Sequence, residues 1–203
     1  MNRLKAIARA LVAAIPLAVA ACSDPVGPET TSPAMKQAEP RMLLGLNPLQ
    51  KKAVQWSGRH VNGTYSVSGT IGPRGGTLSI PQSDFTITFA AGAVSSPTPM
   101  TITALSGKYV AYDMQPHGIR FSAPVTVKQG LRNTAASSNL FIALSLVGAY
   151  VDNDVPPASD GSFLATELLS SVTSFVRGLL GLLIPDLQTW KLHHFSRYML
   201  ASG

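Results

Sequence analysis

From residue 65 onward the chain runs in short stretches of alternating apolar and polar residues, separated by Gly and Pro clusters. In FTITF, Phe85, Ile87 and Phe89 fall on one side and Thr86 and Thr88 on the other, the two-residue period of a half-buried strand. MTITAL repeats the device with Met100, Ile102 and Ala104, and YSVSGTI, TLSI, YVAYDM, IRF and VTVK add further short strands. NLFIALSLVGAY is apolar almost throughout and reads as a buried central strand. About seven or eight such runs with frequent turn signals predict a mainly β domain, an antiparallel β-sandwich over residues 63–203.

One segment follows a different period. Over residues 164–183, at ~100° per residue, Leu164, Leu168, Leu169, Val172, Phe175, Val176, Leu179, Leu180, Leu182 and Leu183 fall within an arc of roughly 160°. Thr166, Glu167, Ser170, Ser171, Thr173, Ser174, Arg177, Gly178 and Gly181 take the other arc. This predicts one long amphipathic helix before the last strand, capped by Ser162 or Asp160 and ended by Pro185. Its apolar face would pack on the sandwich or form a lipid or partner surface; two strands are the alternative, because apolar runs support either structure.

Residues 1–21 carry Arg3, Lys5 and Arg9 ahead of an apolar run broken by Pro16, the pattern of a secretory signal too short to span a bilayer. Val19-Ala20-Ala21-Cys22 resembles the lipobox of bacterial lipoproteins, and Cys22 is the only cysteine. That resemblance implies cleavage before Cys22, acylation of its thiol and of the new amine (palmitate among the acyl groups), and a stable membrane anchor. Ser23 after the cysteine resembles the signal for sorting to the outer membrane of the cell envelope. Residues 22–62 hold Pro25, Pro28, Pro33, Pro40 and Pro48 among Ser, Thr, Glu and Gln, which predicts a flexible tether, interrupted by the apolar patch Met42-Leu43-Leu44-Gly45-Leu46.

A lone cysteine excludes an internal disulfide and a thiolate metal site. Three of the 16 basic residues lie in the signal, so the mature chain has 13 against 10 acidic, and its charge does not argue for nucleic acid. Gly72, Gly75 and Gly76 lack the Lys and Ser/Thr of a P-loop and suit a turn with positive φ. Asp152, Asp154 and Asp160 offer oxygens but no bidentate glutamate at calcium-loop spacing. His60, His117, His193 and His194 form no HExxH, and no GxSxG elbow occurs. No cofactor and no metal are expected.

The stretch IGPRGGTLSIPQSDFTITFAAGAVSSPTPMTITAL and the later QPHGIRFSAPVTV resemble the ZU-five domain of ankyrins, netrin receptors and the zonula occludens scaffold protein. The shared features are the GG-x-L opening, the Gly92-Ala93-Val94 turn and the P-x-G-x-x-F-x-x-P-V pattern at 116–125, over about residues 65–128. The resemblance implies a β-sandwich that binds proteins or packs against neighbouring modules, with no catalytic role. A subset of that family cuts itself within His-Phe-Ser, which matches His194-Phe195-Ser196 here. By that resemblance Ser196 Oγ would attack the Phe195 carbonyl carbon, His194 or His193 would take the proton, and water would resolve the ester. Read instead as an inert closing strand, the stretch puts His194 and Ser196 on one face with Leu192, Tyr198 and Leu200, and Phe195 on the other.

Overall fold

Phe85, Ile87 and Phe89 are all buried while Thr88 is exposed, so the alternation in FTITF is a half-buried strand as its pattern predicts. The computed structural model describes residues 47–58, 63–152, 156–178 and 182–203, all within one compact unit. The chain is mainly antiparallel β, and among the described residues it forms two sheets and one short α-helix. The strands are β1 Gln50–Ala53, β2 Tyr65–Ile71, β3 Gly76–Ile80, β4 Phe85–Phe89, β5 Thr98–Ala104, β6 Ala111–Gln115 and β7 Arg120–Gly130. After helix α1 Leu140–Leu144 come β8 Val147–Val151, β9 Ser162–Leu164, β10 Glu167–Leu169, β11 Ser171–Arg177, β12 Leu183–His194 and β13 Arg197–Ser202.

The first sheet has the order β10-β8-β13-β6-β5-β2, with β1 joining β13 to β9; the second has the order β11-β12-β7-β4-β3. Their inner faces share one apolar core: Ile102, Met114, Tyr198 and Leu200 come from the first sheet, and Phe85, Ile87, Val127 and Trp190 from the second. Each such side chain contributes roughly 1.5–3 kcal/mol on burial. Two glycines permit close approaches that a side chain would block. At Gly75, which closes the β2–β3 turn at φ +79°, a Cβ would lie 2.3 Å from the Phe89 carbonyl oxygen. At Gly148 it would lie 3.0 Å from the Trp190 ring.

A polar network crosses this core. The Tyr112 hydroxyl on β6 donates to Gln129 Oε1 on β7 at 2.5 Å, and Gln129 Nε2 donates to the Ser83 and Gly130 carbonyls, both at 2.8 Å. Gln129 is thereby satisfied on both ends of its amide at a site without solvent. Burial pushes the Tyr112 phenol far above its ordinary value of 10.0. Outer faces are served differently, by hydroxyl pairs such as Ser66–Thr103 at 2.9 Å and Ser79–Thr86 at 3.1 Å.

Three expectations need correction. The long helix over 164–183 is not formed: the described part of the segment is β10, β11, the end of β9 and the start of β12, the two-strand alternative. Ser and β-branched residues dominate 170–176, which disfavours helix, and Val172 and Val176 face outward on a strand four residues apart, imitating a helical stripe. Asp160 caps no helix; its Oδ1 accepts from the Ser162 amide at 2.9 Å in a turn that leads into β9. NLFIALSLVGAY is not one central strand, because the Asn139 side chain accepts from the Phe141 and Ile142 amides and starts α1, with β8 following. The region expected to be tether up to residue 62 contains β1 and the buried Val54 and Trp56, since Val54 bonds to Leu200 and Val110 through its backbone.

Replacing Gln129 by Leu should lower stability by about 1–3 kcal/mol, because the Tyr112 hydroxyl and the Ser83 carbonyl lose their buried partner. Denaturant titration would register this as a lower midpoint at unchanged slope.

Candidate functional site

The sequence singles out His194, Phe195 and Ser196, and the fold places them where the chain leaves one sheet for the other. β12 pairs with β7 in the second sheet up to His194, and β13 pairs with β6 and β8 in the first from Arg197. Phe195 therefore does not continue the alternation: it points into the core beside Leu192, Tyr198 and Leu200 instead of away from them. Its ring meets Phe121 edge-on at 5.0 Å and Phe89 at 5.8 Å. Backbone bonds fix both sides of the peptide link: the Phe195 amide donates to the Ile119 carbonyl at 3.0 Å, and the Ser196 carbonyl accepts from the Met114 amide at 3.1 Å.

Above this crossing lies a cleft of about 580 Å³ lined by His117, Arg120, Tyr150, Glu167, His194 and Ser196. His194 is held on three sides. Its Nε2 is 3.4 Å from Glu167 Oε2, the Tyr198 hydroxyl lies 3.2 Å from its Nδ1 and donates to its carbonyl at 2.8 Å, and Tyr150 stands edge-on at 5.2 Å. Burial first, then the negative charge of Glu167, pushes the Tyr198 phenol well above its ordinary value of 10.0. On the far side of the cleft His117 Nε2 meets Asp113 Oδ1 at 3.0 Å, and Arg197 approaches the same oxygen at 3.7 Å.

Self-cleavage at the bond between Phe195 and Ser196 needs a donor for the developing oxyanion, a base for the hydroxyl, and a distorted peptide. The first is in place, as the Gly118 amide donates to the Phe195 carbonyl oxygen at 2.9 Å. The second is not assembled in this state: the Ser196 hydroxyl hydrogen-bonds neither His193, which is exposed on β12, nor His194, whose ring is turned to Glu167 and Tyr198. As to the third, neither Phe195 nor Ser196 has a left-handed φ, and their peptide bond is not cis.

The other candidates are dispersed. Asp160 sits in the turn before β9, and Ser162, which donates to it twice, holds its carboxyl below the usual carboxylate range. Asp152 ends the β8 region, while Asp154, His60 and Cys22 lie outside the described residues. Among the described residues no three His, Cys, Asp or Glu side chains come together to hold a metal ion. Nothing in the sequence marked Gly118, Glu167, Tyr150 and Asp113 as site residues. Only the spacing of Tyr198 from His194 offered a signal, and it suggested a shared strand face instead of a hydrogen bond.

No family model matches the chain. A search of curated proteins likewise finds none that matches. The segments that carry the ZU-five resemblance fall at structural transitions: Gly75 and Gly76 open β3, Gly92-Ala93-Val94 follows β4, and 116–125 runs from the β6–β7 turn into β7.

Two measurements follow from this geometry. Tyr112 and Tyr198 keep protons in the folded state that the unfolded chain releases near pH 10. Stability should thus be intact below about pH 10 and fall as pH rises beyond it, with the absorbance change of both phenols at 295 nm appearing only together with loss of the near-ultraviolet dichroism. For the peptide bond, intact mass of the purified chain should give one uncut species, identical in behaviour to Ser196→Ala. A pair of fragments separating at Phe195 and Ser196, abolished by that substitution, would establish cleavage.

Proposed function

We propose that the chain is a lipoprotein of the bacterial cell envelope, anchored by an acylated Cys22 and displaying a non-catalytic β-sandwich that serves as a protein-binding or structural module. The observation that carries this reading is the position of Cys22, the sole cysteine, directly after Val19-Ala20-Ala21 at the end of a signal-like apolar run. Acyl chains at that point exceed the two-signal requirement for lasting attachment, at about 0.8 kcal/mol per buried methylene. Such an anchor requires no membrane-crossing helix, and among the described residues no helix is long and apolar enough for one. Ser23 supports sorting to the outer membrane.

The ZU-five resemblance over residues 65–128 supports a sandwich whose role is contact with another protein or with a neighbouring module. The polar groups of the crossing support the same choice, since His194 is occupied by Glu167 and Tyr198 and its ring does not serve Ser196. A second reading, self-cleavage by Ser196 with a histidine base, draws on one specific contact: the Gly118 amide already addresses the Phe195 carbonyl oxygen.

In cells, wild-type chain should fractionate with membranes and carry acyl groups on an N-terminal Cys22. Cys22→Ala should move it to the soluble fraction, and membrane retention of that variant would sink the anchor.

A further inference from the structure

Exposed apolar side chains are concentrated in one part of the molecule. Apart from Leu164 on β9, every large one among the described residues lies on α1 or on and beside the β11–β12 hairpin. On the hairpin they are Val172, Val176, Leu182, Leu183 and Ile184, with Leu182 67% and Leu183 61% exposed. α1 sits against the same edge, because Thr173 Oγ1 donates to the Ala143 carbonyl at 3.2 Å and Ser171 Oγ to the Leu146 carbonyl at 3.1 Å.

The sheet face beside this apolar edge is basic. Val172 pairs with Thr189 and Thr189 with Lys128, which puts Val172, Lys128 and, two residues along β12, Lys191 on the outer face. Near this edge β7, β11 and β12 carry Lys128, Arg177 and Lys191 against a single acid, Asp186, which is ion-paired with Arg132 at 3.2 Å, while Arg120 lies at the other end of β12 beside the cleft. An apolar strip flanked by cations fits an anionic lipid surface, where Leu182, Leu183 and Ile184 enter the headgroup region by about 5–10 Å and the cations meet phosphates. A two-fold dimer through this face would instead set lysine against lysine.

The chain outside the described body points to the same occupant. The 25 residues from Cys22 to Leu46 can span at most about 85 Å, so an acylated Cys22 keeps Asn47, where the described body begins, within that distance of a bilayer. We propose that the β11–β12 hairpin docks on the anionic membrane surface to which Cys22 anchors the chain. This second, peripheral contact rests on the lipoprotein reading above.

Because Cys22 is the only cysteine and is acylated in that reading, Leu183→Cys supplies one free thiol for an environment-sensitive dye in the full processed chain. Leu182→Cys repeats the test at a second exposed site, and Ser68→Cys on the outer face of the first sheet is the control. On vesicles of phosphatidylethanolamine and phosphatidylglycerol, dyes at 182 and 183 should shift to the blue and be quenched by lipids spin-labelled near the headgroup, while the dye at 68 stays in water. Lys128→Glu combined with Lys191→Glu should reduce the shift without releasing the chain. If the chain floats with vesicles and the hairpin dyes do not respond, the docking proposal falls and the anchor stands. Unmodified Cys22 with no flotation overturns both. A blue shift that grows with protein concentration before any vesicle is added assigns the hairpin to a second copy and overturns the proposal as well.

Discussion

The shortest link between interior strands of the two sheets is the step from β12 to β13. β12 lies between β11 and β7, and β13 lies between β8 on one side and β6 and β1 on the other, so the step at Phe195 and Ser196 connects two interior strands. Such a connection holds only if the residue that makes it is welcome in the core, and Phe195, fully buried against Phe89 and Phe121, meets that condition. A polar residue there would have to bury unpaired groups between the sheets. The Ile119, Gly118 and Met114 backbone groups then satisfy the peptides that the step removes from the ladders.

This arrangement accounts for the polar character of the cleft above it. Where the ladder between β7 and β12 ends, side chains must supply what strands no longer can, and Tyr198, Glu167 and His194 form a bonded group at that end. The same reasoning applies to Tyr112 and Gln129 deep in the core, where the two sheets are linked by a satisfied pair instead of by packing alone. In both the cleft and the core network, polar groups placed between the sheets are bonded to one another.

Strands with a clean two-residue period were legible from the sequence to the residue: YSVSGTI is β2 and FTITF is β4. The failures lie where apolar residues do not face the core. Val172, Val176, Leu182 and Leu183 are exposed, so periodicity, which presumes that apolar means buried, returned a helix that the chain does not form. β1 escaped for the opposite reason, since Gln50-Lys51-Lys52-Ala53 has no apolar pattern and is held by backbone pairing to β9 and β13. At the site, the motif located the right peptide bond but not its neighbours. Gly118 and Glu167 reach it from 78 and 29 residues upstream of Ser196, and proximity across such separations is a property of topology.

The position of β13 has a temporal side. It follows in sequence every strand that it joins, so while the chain is being made the first sheet has a gap at its centre, with β1, β6 and β8 waiting on either side of it. A chain built in this order cannot close that sheet before its last strand is synthesised, and the long-range pairing keeps folding slow relative to local structures.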